Sequence, residues 1–354
     1  MALGEDGRLV DFALWRPGAP DGIGDIYRAR VTRRAPALGG AFVALGDGPD
    51  GFLPDTAGAA GLAEGALLVV QVVRAPQGGK GPRLSARLDR AERFCTGPLG
   101  LVLRGPDPVL RLAKLWPDAP VEVDGAGALA RLAAALPGRA AAGDGFGAAL
   151  EAELADLADP VVGLAGGPVL HIHQTPALVA IDLDAGGAAA DRDHARAAHQ
   201  VLNLAAIPEI ARQIRLRNLS GAILVDLAGL TPRQRQRLAD AFKAALAPDP
   251  LAPRFLGFTT LGLAEILRPR VAPPLHELLC GAHAAGLAAL RAAAAEARVA
   301  PAASWALRAA PAVVAALEHD PVALGELARR TGRTLMLRSD PALAPTRWAL
   351  ERLQ

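Results

Sequence analysis

The amino-acid sequence predicts an α/β protein of several domains, with a small β-barrel near the N-terminus and an α/β domain after it. Its 354 residues are enough for two or three domains. Short β-branched and aromatic runs alternate with glycine and proline over residues 24–54, as in small barrels. Between residues 177 and 246, two apolar runs alternate with two segments of helical periodicity, a pattern typical of neighbouring parallel strands.

The composition is that of a globular protein with a large core, because 51% of the residues are hydrophobic. No stretch near the N-terminus has the pattern of a signal peptide, and no apolar run reaches membrane-spanning length. Cys95 and Cys280 lie far apart and do not make a disulfide framework. We therefore expect a cytoplasmic protein with no membrane partner. The formal net charge of +2 does not by itself indicate a nucleic-acid partner.

The predicted barrel continues through residues 64–88, which again combine short strands with glycine-rich turns. Phe42 and Phe52 would lie on consecutive strands. In an OB-type barrel, exposed aromatic rings stack on bases while nearby Arg and Lys side chains follow the nucleic-acid backbone. Both rings could instead belong to the barrel core, and their spacing alone leaves the two interpretations open.

The α/β region begins with a strand in residues 177–186 ("ALVAIDLDAG") and continues into a helix within residues 196–220. The apolar residues that recur at helical spacing in this helix are Val201, Leu204, Ile207, Ile210 and Ile214. A second strand follows in residues 221–230 ("GAILVDLAGL"). The pattern therefore predicts strand, helix and strand in succession.

A second helix follows, and its start has a recognisable sequence. Thr231 can be the N-cap residue, with Pro232 at the first helical position and Gln234 at the third. The buried stripe of this helix is expected at Leu238, Phe242 and Leu246.

Both predicted strands end in acidic side chains. Asp182 and Asp184 are two residues apart, so they point to the same side of the first strand, and Asp226 closes the second. Parallel neighbours bring Asp182 and Asp226 to one edge of the sheet, where open α/β sheets bind ligands. Two such carboxylates repel each other unless a cation lies between them, and Mg²⁺ takes one or two protein carboxylates together with water and phosphate. The simpler interpretation, in which these acids only begin turns, also stays open.

Several motifs together resemble the ribonuclease E/G family of bacterial endoribonucleases. The S1 module of that family is similar to "GDIYRARV", "GAFVALG", "GFLP" and "GGKGPRL" in this chain. Its catalytic domain is similar to "QTPALVAIDLD", "NLAAIPEIARQIRLRNLSG", "AILVDLAGL" and "GFTTLGLAEILRPR". The similarity is weakest between about residue 90 and residue 165.

The resemblance implies a catalytic role for the acids. Asp182 and Asp226 match the two Mg²⁺-binding aspartates of the family. Asp184 stands where the family usually has Asn, and it is included here among the catalytic candidates. Gly229 replaces a second acid of the family's DFxDM-like motif, so the resemblance implies one acid fewer at this site.

The resemblance also implies RNA contacts. Phe42 and Phe52 match S1 aromatic residues that contact RNA, and Lys80 matches a basic residue of the S1 loop. Arg104 in "GLVLRGPD" matches the arginine of the family's sensor for a 5′-monophosphate end, whereas Gly105 replaces the usual Thr of that sensor.

The family has a CPxC-type motif through which paired protomers share zinc, and this chain has "LLCGAHAAG" there. Cys280 and His283 form a C-x-x-H pair, which is half of a zinc site; an ordinary helical cysteine beside a surface histidine is the other interpretation. We expect no zinc-linked tetramer, although the C-terminal region resembles a small domain that supports homodimer contacts.

The resemblance implies five regions, which we expect in the following order. They are an N-terminal strand region packed on the catalytic core (1–20), an S1-like RNA-binding barrel of the OB type (21–90), a shortened sensor and RNase H-like region (91–165), a catalytic α/β domain with a mixed sheet (166–275), and a small C-terminal α/β domain (280–354).

The function expected from this combination is Mg²⁺-dependent hydrolysis of single-stranded RNA to 5′-phosphate and 3′-hydroxyl ends, in RNA processing or decay. Two other functions stay open. One is a catalytically weak or inactive RNA-binding paralogue, and the other is a general α/β phosphotransfer enzyme with an unrelated barrel.

Overall fold

The computed structural model describes residues 2–5, 7–46, 48–89, 94, 96–143, 147–186 and 192–353, with only the backbone of residues 148 and 192–198. The chain forms two compact units. The first comprises Met1–Leu14 and Asp21–Pro274, and the second comprises Trp15–Pro20 and Leu275–Gln354. Cys95 lies outside the described residues.

The first unit opens with a hairpin and a closed five-stranded barrel. The hairpin strands are β1 (Ala2–Glu5) and β2 (Arg8–Phe12). The barrel strands are β3 (Ile26–Ala35), β4 (Gly40–Ala44), β5 (Gly51–Pro54), β6 (Leu67–Arg74) and β7 (Arg83–Ser85), with 3₁₀ turns at Pro36–Leu38 and Asp55–Ala57. β8 (Gly100–Leu103) adds to β3 outside the closed barrel.

The barrel closes because the long strand β3 pairs with both β6 and β4. A register shift between Val31 and Arg33 marks a bulge, which bends β3 from one partner to the other. The remaining order runs β4, β5, β7, β6, and the β5–β7 pair is parallel. The interior is filled by small and branched side chains, namely Ala29, Val31, Ala41, Val43, Leu45, Leu53, Ala59, Val70, Val72 and Leu84. The predicted barrel is thus confirmed, and its form is consistent with an OB-type barrel.

A small helical region follows the barrel. Its elements are α1 (Pro108–Leu115), β9 (Val121–Val123), α2 (Ala126–Ala135), β10 (Ala140–Ala142) and α3 (Ala148–Asp156). β9 and β10 form a parallel pair. Asp107 caps α1 by accepting a hydrogen bond from Leu110 N at 2.9 Å.

A mixed six-stranded sheet forms the centre of the first unit. In chain order its elements and helices are β11 (Val161–Gly163), β12 (Val169–Gln174), β13 (Val179–Asp184), α4 (Arg192–Leu216), β14 (Gly221–Asp226), α5 (Pro232–Gln236), α6 (Ala239–Leu246), β15 (Arg254–Phe258) and β16 (Ala264–Arg268). The strand order is β11, β12, β13, β14, β16, β15. Among the described strands of this sheet, β13 and β14 alone form a parallel pair, so the predicted parallel neighbours are confirmed.

The predicted second helix divides into α5 and α6, and its start is as expected. Gln234 Oε1 accepts a hydrogen bond from Thr231 N at 3.0 Å, as in a capping box. Its buried stripe belongs to the core of this sheet, because Leu238, Phe242 and Leu246 are all at most 2% exposed.

α4 buries only part of its apolar pattern. Ile207, Ile210 and Ile214 are buried, whereas Val201 and Leu204 are exposed to 68% and 42%. Two of the five residues that share helical spacing therefore lie away from the core.

The second unit contains a three-stranded sheet covered by helices. Its elements are α7 (Leu275–Leu279), α8 (Ala282–Val299), β17 (Ser304–Ala309), α9 (Pro311–Glu318), α10 (Pro321–Thr331), β18 (Met336–Ser339) and β19 (Trp348–Leu353). β17 is central, parallel to β18 and antiparallel to β19. Across the described parts of both units, no helix is long and apolar enough to span a membrane.

Candidate functional site

Asp182 and Asp226 lie side by side at the carboxyl ends of β13 and β14. They are register partners across the parallel pair, so their side chains leave the same face of strands about 4.8 Å apart. Both carboxylates are exposed, because along each strand apolar residues such as Ile181 and Val225 point to the helices and the alternate residues point away. The structure therefore brings together the two acids that the sequence predicted to meet.

The charges of this pair are uncompensated by any neighbour that the structure describes. Within the described part of the chain, neither Asp182 nor Asp226 makes an ion pair or a side-chain hydrogen bond. The described residues also contain no group of three or more side chains that could together hold a metal ion. Two exposed carboxylates that accept no hydrogen bond from another side chain of the protein suit a hard divalent cation. Such a cation keeps water and substrate oxygens as its other ligands. The donor set therefore fits Mg²⁺.

Asp184 differs from its neighbour in what its carboxylate does. Its Oδ1 atom accepts a hydrogen bond from Gly186 N at 2.9 Å, which is the local bond of an Asx turn. Its register partner is Val169 and not another acid. The turn interpretation thus describes Asp184, although not the Asp182 and Asp226 pair.

Two histidines on β12 border the acid pair, and sequence reasoning missed them. His171 is the register partner of Asp182, so it lies next to that residue on the same face of the sheet. The rings of His171 and His173 stack with centroids 6.5 Å apart and planes inclined by 8°. The alternation in "VLHIHQ" is the sequence signal that places both rings on one face.

The loop after Asp226 leaves no room for a side chain at position 229, where the resemblance implied an acid and this chain has glycine. Gly229 has φ of +54°, and a Cβ atom there would lie 2.3 Å from Nδ1 of His199. Asn203 is fully buried beneath this loop and donates to Ala228 O at 2.9 Å. The ring of His199 therefore occupies the space that a side chain at position 229 would need.

Phe42 and Phe52 point outward from the barrel and stay half-buried. They are register partners on β4 and β5, and their rings meet edge to face with centroids 5.6 Å apart. Arg33, the partner of Phe42 on β3, places its guanidinium 4.8 Å from the ring centroid. The inward neighbours Ala41 and Leu53 fill the core instead. The core interpretation of these two rings is therefore not the one that the structure shows.

The other two basic candidates have different surroundings. Lys80 is exposed in the turn between β6 and β7, where the backbones of Gln77 and Lys80 bond to each other. Arg104 pairs through Nη1 with Oδ2 of Asp25 at 2.7 Å, and Asp25 is only 1% exposed. Gly105 N donates to the other oxygen of Asp25 at 2.7 Å. Arg104 thus neutralises a buried acid of the barrel and remains 56% exposed.

The two candidate zinc residues of the second unit, Cys280 and His283, have different surroundings. His283 Nε2 is 2.9 Å from Oδ2 of Asp320, a buried residue that also accepts from Ala323 N at the start of α10. Cys280 is an exposed free thiol. His283 is therefore engaged within its own unit.

These features define the class of the molecule. It is a mixed α/β protein in which one compact unit combines a closed barrel, with outward aromatic rings and arginines, and a sheet with paired carboxylates at its carboxyl edge.

Comparison with known proteins shows a similarity in the region of the main sheet. Residues 147–271 match the model of the Ribonuclease E/G family. Ribonuclease E of Nostoc sp. (strain PCC 7120) is 36% identical over 132 residues, which are 36% of this chain and 19% of that protein. Ribonuclease G of Haemophilus influenzae is 34% identical over 123 residues (34% and 25%), and ribonuclease G of Escherichia coli K12 is 32% identical over 132 residues (37% and 27%).

Residues 147–271, which include both acids of the pair, are therefore similar to the ribonuclease E/G family. The resemblance predicted from the motifs is thus confirmed over these residues. The chain spans less than a third of the length of each of these curated relatives.

Proposed function

We propose that this protein is an endoribonuclease that uses Mg²⁺ to hydrolyse single-stranded RNA in RNA processing or decay. The observation that carries the proposal is the Asp182 and Asp226 pair, two exposed carboxylates in register with no compensating charge in the described structure. The family of residues 147–271 and the names of the relatives, which are ribonucleases, support RNA as the substrate.

Asp182 and Asp226 would hold the cation from one side, at an open edge where an RNA strand can approach. When bound there, Mg²⁺ would supply Lewis-acid chemistry for hydrolysis of a phosphodiester, with a 5′-phosphate and a 3′-hydroxyl as the expected products. Asp184, held in its turn, sets the course of the chain as it leaves the pair. His171 lies beside Asp182 and is available to contact substrate on the same face.

The outer face of the barrel would hold the strand that is cut. Phe42 and Phe52 offer an aromatic surface for unpaired bases, and Arg33 and Lys80 offer positive charge for the backbone. The exposed part of Arg104, whose charge is paired with Asp25, can still donate hydrogen bonds to phosphate. Duplex RNA has its bases already paired and stacked, so it should be a poor substrate. The barrel therefore supports a preference for single strands.

The same proposal assigns the regions of the chain. Residues 21–90 would bind RNA and residues 166–275 would catalyse, with residues 1–20 packed on that core. Residues 91–165 would be a shortened sensor region, and residues 280–354 a small domain that supports a homodimer without a zinc link. The protein would act in the cytoplasm.

One assay tests the proposal. A 5′-labelled unstructured RNA is incubated with the protein in EDTA and in Mg²⁺, and the products are separated on a denaturing gel. We expect cleavage in Mg²⁺ alone, loss of cleavage in Asp182→Asn and Asp226→Asn, and activity in Asp184→Asn, which keeps the turn. RNA binding without cleavage by the unaltered protein would instead favour the inactive paralogue, for which the glycine at 229 is the structural argument.

A further inference from the structure

Three arginine side chains meet where the barrel joins the main sheet, and we call Arg74, Arg83 and Arg270 the junction arginines. Arg74 ends β6 and is the register partner of Arg83 on β7. Ala75, the next residue, donates its N–H to the carbonyl oxygen of Val271 at 2.8 Å. This backbone bond brings the segment that carries Arg270 against the end of β6.

A glycine fixes the position of Arg270. Gly221 has φ of +86°, and a Cβ atom at this residue would lie 2.4 Å from Nη2 of Arg270. The guanidinium therefore lies directly against the backbone at the first residue of β14, in space that any side chain would fill. Arg270 is thus held at the amino end of the strand whose carboxyl end carries Asp226.

The junction arginines differ from the arginines that stabilise the fold. Arg268, two residues before Arg270, is 3% exposed and pairs with Asp249 at 2.7 Å, and Arg34 of the barrel pairs with Asp55 at 3.2 Å. None of the junction arginines has such a carboxylate partner in the described parts of the chain. Their positive charges are therefore available to an anionic ligand.

The surroundings of Arg74 disfavour its positive charge when no anion is bound. Its Nε atom is buried and has no hydrogen-bond partner among the described groups. Burial first, and then the charges of Arg83 and Arg270, lower the pKa of Arg74. Like charges at close range raise the energy of the site, and a bound anion that accepts from the unpaired N–H groups would relieve it.

The junction is continuous with the aromatic surface of the barrel. Arg83 is the register partner of Phe52, which is in turn the partner of Phe42. The outward row across the barrel thus runs from Arg33 through the two rings to Arg83 and Arg74. A strand stacked on the rings would have its backbone beside the junction arginines.

We propose that the junction arginines bind phosphate groups of the same RNA strand that Phe42 and Phe52 hold, which extends the RNA interface from the barrel to the amino end of β14. This inference rests on the proposed RNA-binding function. The planar guanidinium suits phosphate because it can donate two parallel hydrogen bonds. The junction lies about 17 Å from Asp226 along β14, so a strand that reaches both places must be several nucleotides long.

Binding of fluorescein-labelled oligouridylate tests the inference, measured by anisotropy in EDTA so that no metal-dependent cleavage occurs. Arg74→Gln, Arg83→Gln and Arg270→Gln are compared over a salt series with Arg30→Gln. Arg30 is the matched control because it is exposed on β3 and pairs with Ala44 and Leu67, outside the row. Urea unfolding of each variant verifies that it is folded.

With an oligomer of about 15 nucleotides, each junction variant should bind about fivefold more weakly than the control. Each should also lose about 0.7 from the slope of log affinity against log salt, the value for one phosphate contact of a single strand. Arg270→Lys should keep the slope and still bind more weakly, because the charge remains and the planar fork is lost. An oligomer of about four nucleotides, enough only for the rings, should not distinguish Arg270→Gln from the control.

The possible results separate the two proposals. If Arg74→Gln and Arg270→Gln bind the long oligomer like Arg30→Gln, the junction site is wrong while RNA binding by the barrel stands. If the unaltered protein does not bind either oligomer, the RNA-binding function itself is wrong.

Discussion

Replacing Asp182 by Asn should change the stability of the protein in opposite directions with and without divalent metal. Asp182 and Asp226 are register partners on strands about 4.8 Å apart, and both face solvent. Two carboxylates about 5 Å apart in a water-like dielectric repel by about 1 kcal/mol. Asp182→Asn removes this repulsion, so in EDTA the free energy of unfolding should rise by about 1 kcal/mol.

Metal reverses the order. A ligand at about 100 times its Kd stabilises the folded state by about 2.7 kcal/mol, and Asp182→Asn loses most of this gain together with one of the two carboxylates. In Mg²⁺ the loss of most of this gain outweighs the relieved repulsion, so the variant should be about 1.5 kcal/mol less stable than the unaltered protein. For a unit of this size, 1 kcal/mol corresponds to about 3 °C in Tm, so a thermal melt followed by circular dichroism resolves both differences.

Asp184→Asn is the matched control for this experiment. It removes the same charge two residues away, keeps an oxygen that can accept from Gly186 N, and has Val169 as its register partner. Because Asp184 lies about 7 Å along the strand from Asp182, Asp184→Asn should gain only about 0.6 kcal/mol in EDTA. Mg²⁺ should stabilise this variant as much as it stabilises the unaltered protein. The reasoning fails if Asp182→Asn is the less stable protein in EDTA, or if Mg²⁺ stabilises it as much as the unaltered chain.

Three further substitutions test other parts of the structure. Phe42→Ala and Phe52→Ala should each weaken binding of a labelled single-stranded RNA by about 1–3 kcal/mol, the worth of a base stack, because both rings face outward. Arg104→Ala should lower the urea-derived free energy of unfolding by about 1–3 kcal/mol, since it removes the charged partner of the buried Asp25. Burial raises the pKa of Asp11 above its ordinary value of 3.8. The protonated Asp11 therefore stabilises the fold fully below about pH 3.8, and this contribution is lost as the pH rises through the folded pKa. In urea titrations between acid and neutral pH, the stability of Asp11→Asn should therefore rise relative to that of the unaltered protein.

Each of these substitutions has an outcome that contradicts it. Loss of about 3–5 kcal/mol of stability in either Phe variant, as for a core residue such as Phe242, would place the rings in the core after all. If Arg104→Ala is as stable as the unaltered protein, the hydrogen bond from Gly105 N is enough to stabilise the buried carboxylate of Asp25. A stability difference between Asp11→Asn and the parent that does not change with pH would show that Asp11 keeps an ordinary pKa when folded.

The sequence predicted those parts of the structure that depend on local pattern. Alternation of apolar and polar residues determined which side of β13 Asp182 occupies, and the residues from Thr231 to Gln234 correctly predicted the start of the second helix. Phe42 and Phe52 were correctly placed on consecutive strands. Their outward direction was left open, because it depends on which residues of the other strands fill the interior.

Features that depend on pairing between distant segments were not predictable in the same way. The partner of Arg104 is Asp25, 79 positions earlier, and nothing near Arg104 indicates it. The helical spacing of α4 did not show that Val201 and Leu204 would be exposed. His171 required the register of β12 against β13 before its place beside Asp182 could be recognised.

The hairpin at the start of the chain has a consequence for the order in which the protein is made. The carbonyl oxygen of Leu9 accepts from Nε of Arg212 in α4, 203 positions later, and Leu9 is fully buried. A lone two-stranded hairpin is marginally stable in water, and synthesis at about 5–20 residues per second delivers α4 roughly 10–40 s after Leu9. The barrel, which is complete by Ser85, can close during that interval. The barrel can therefore be complete while the chain is still attached to the ribosome and Asp226 has not yet been made.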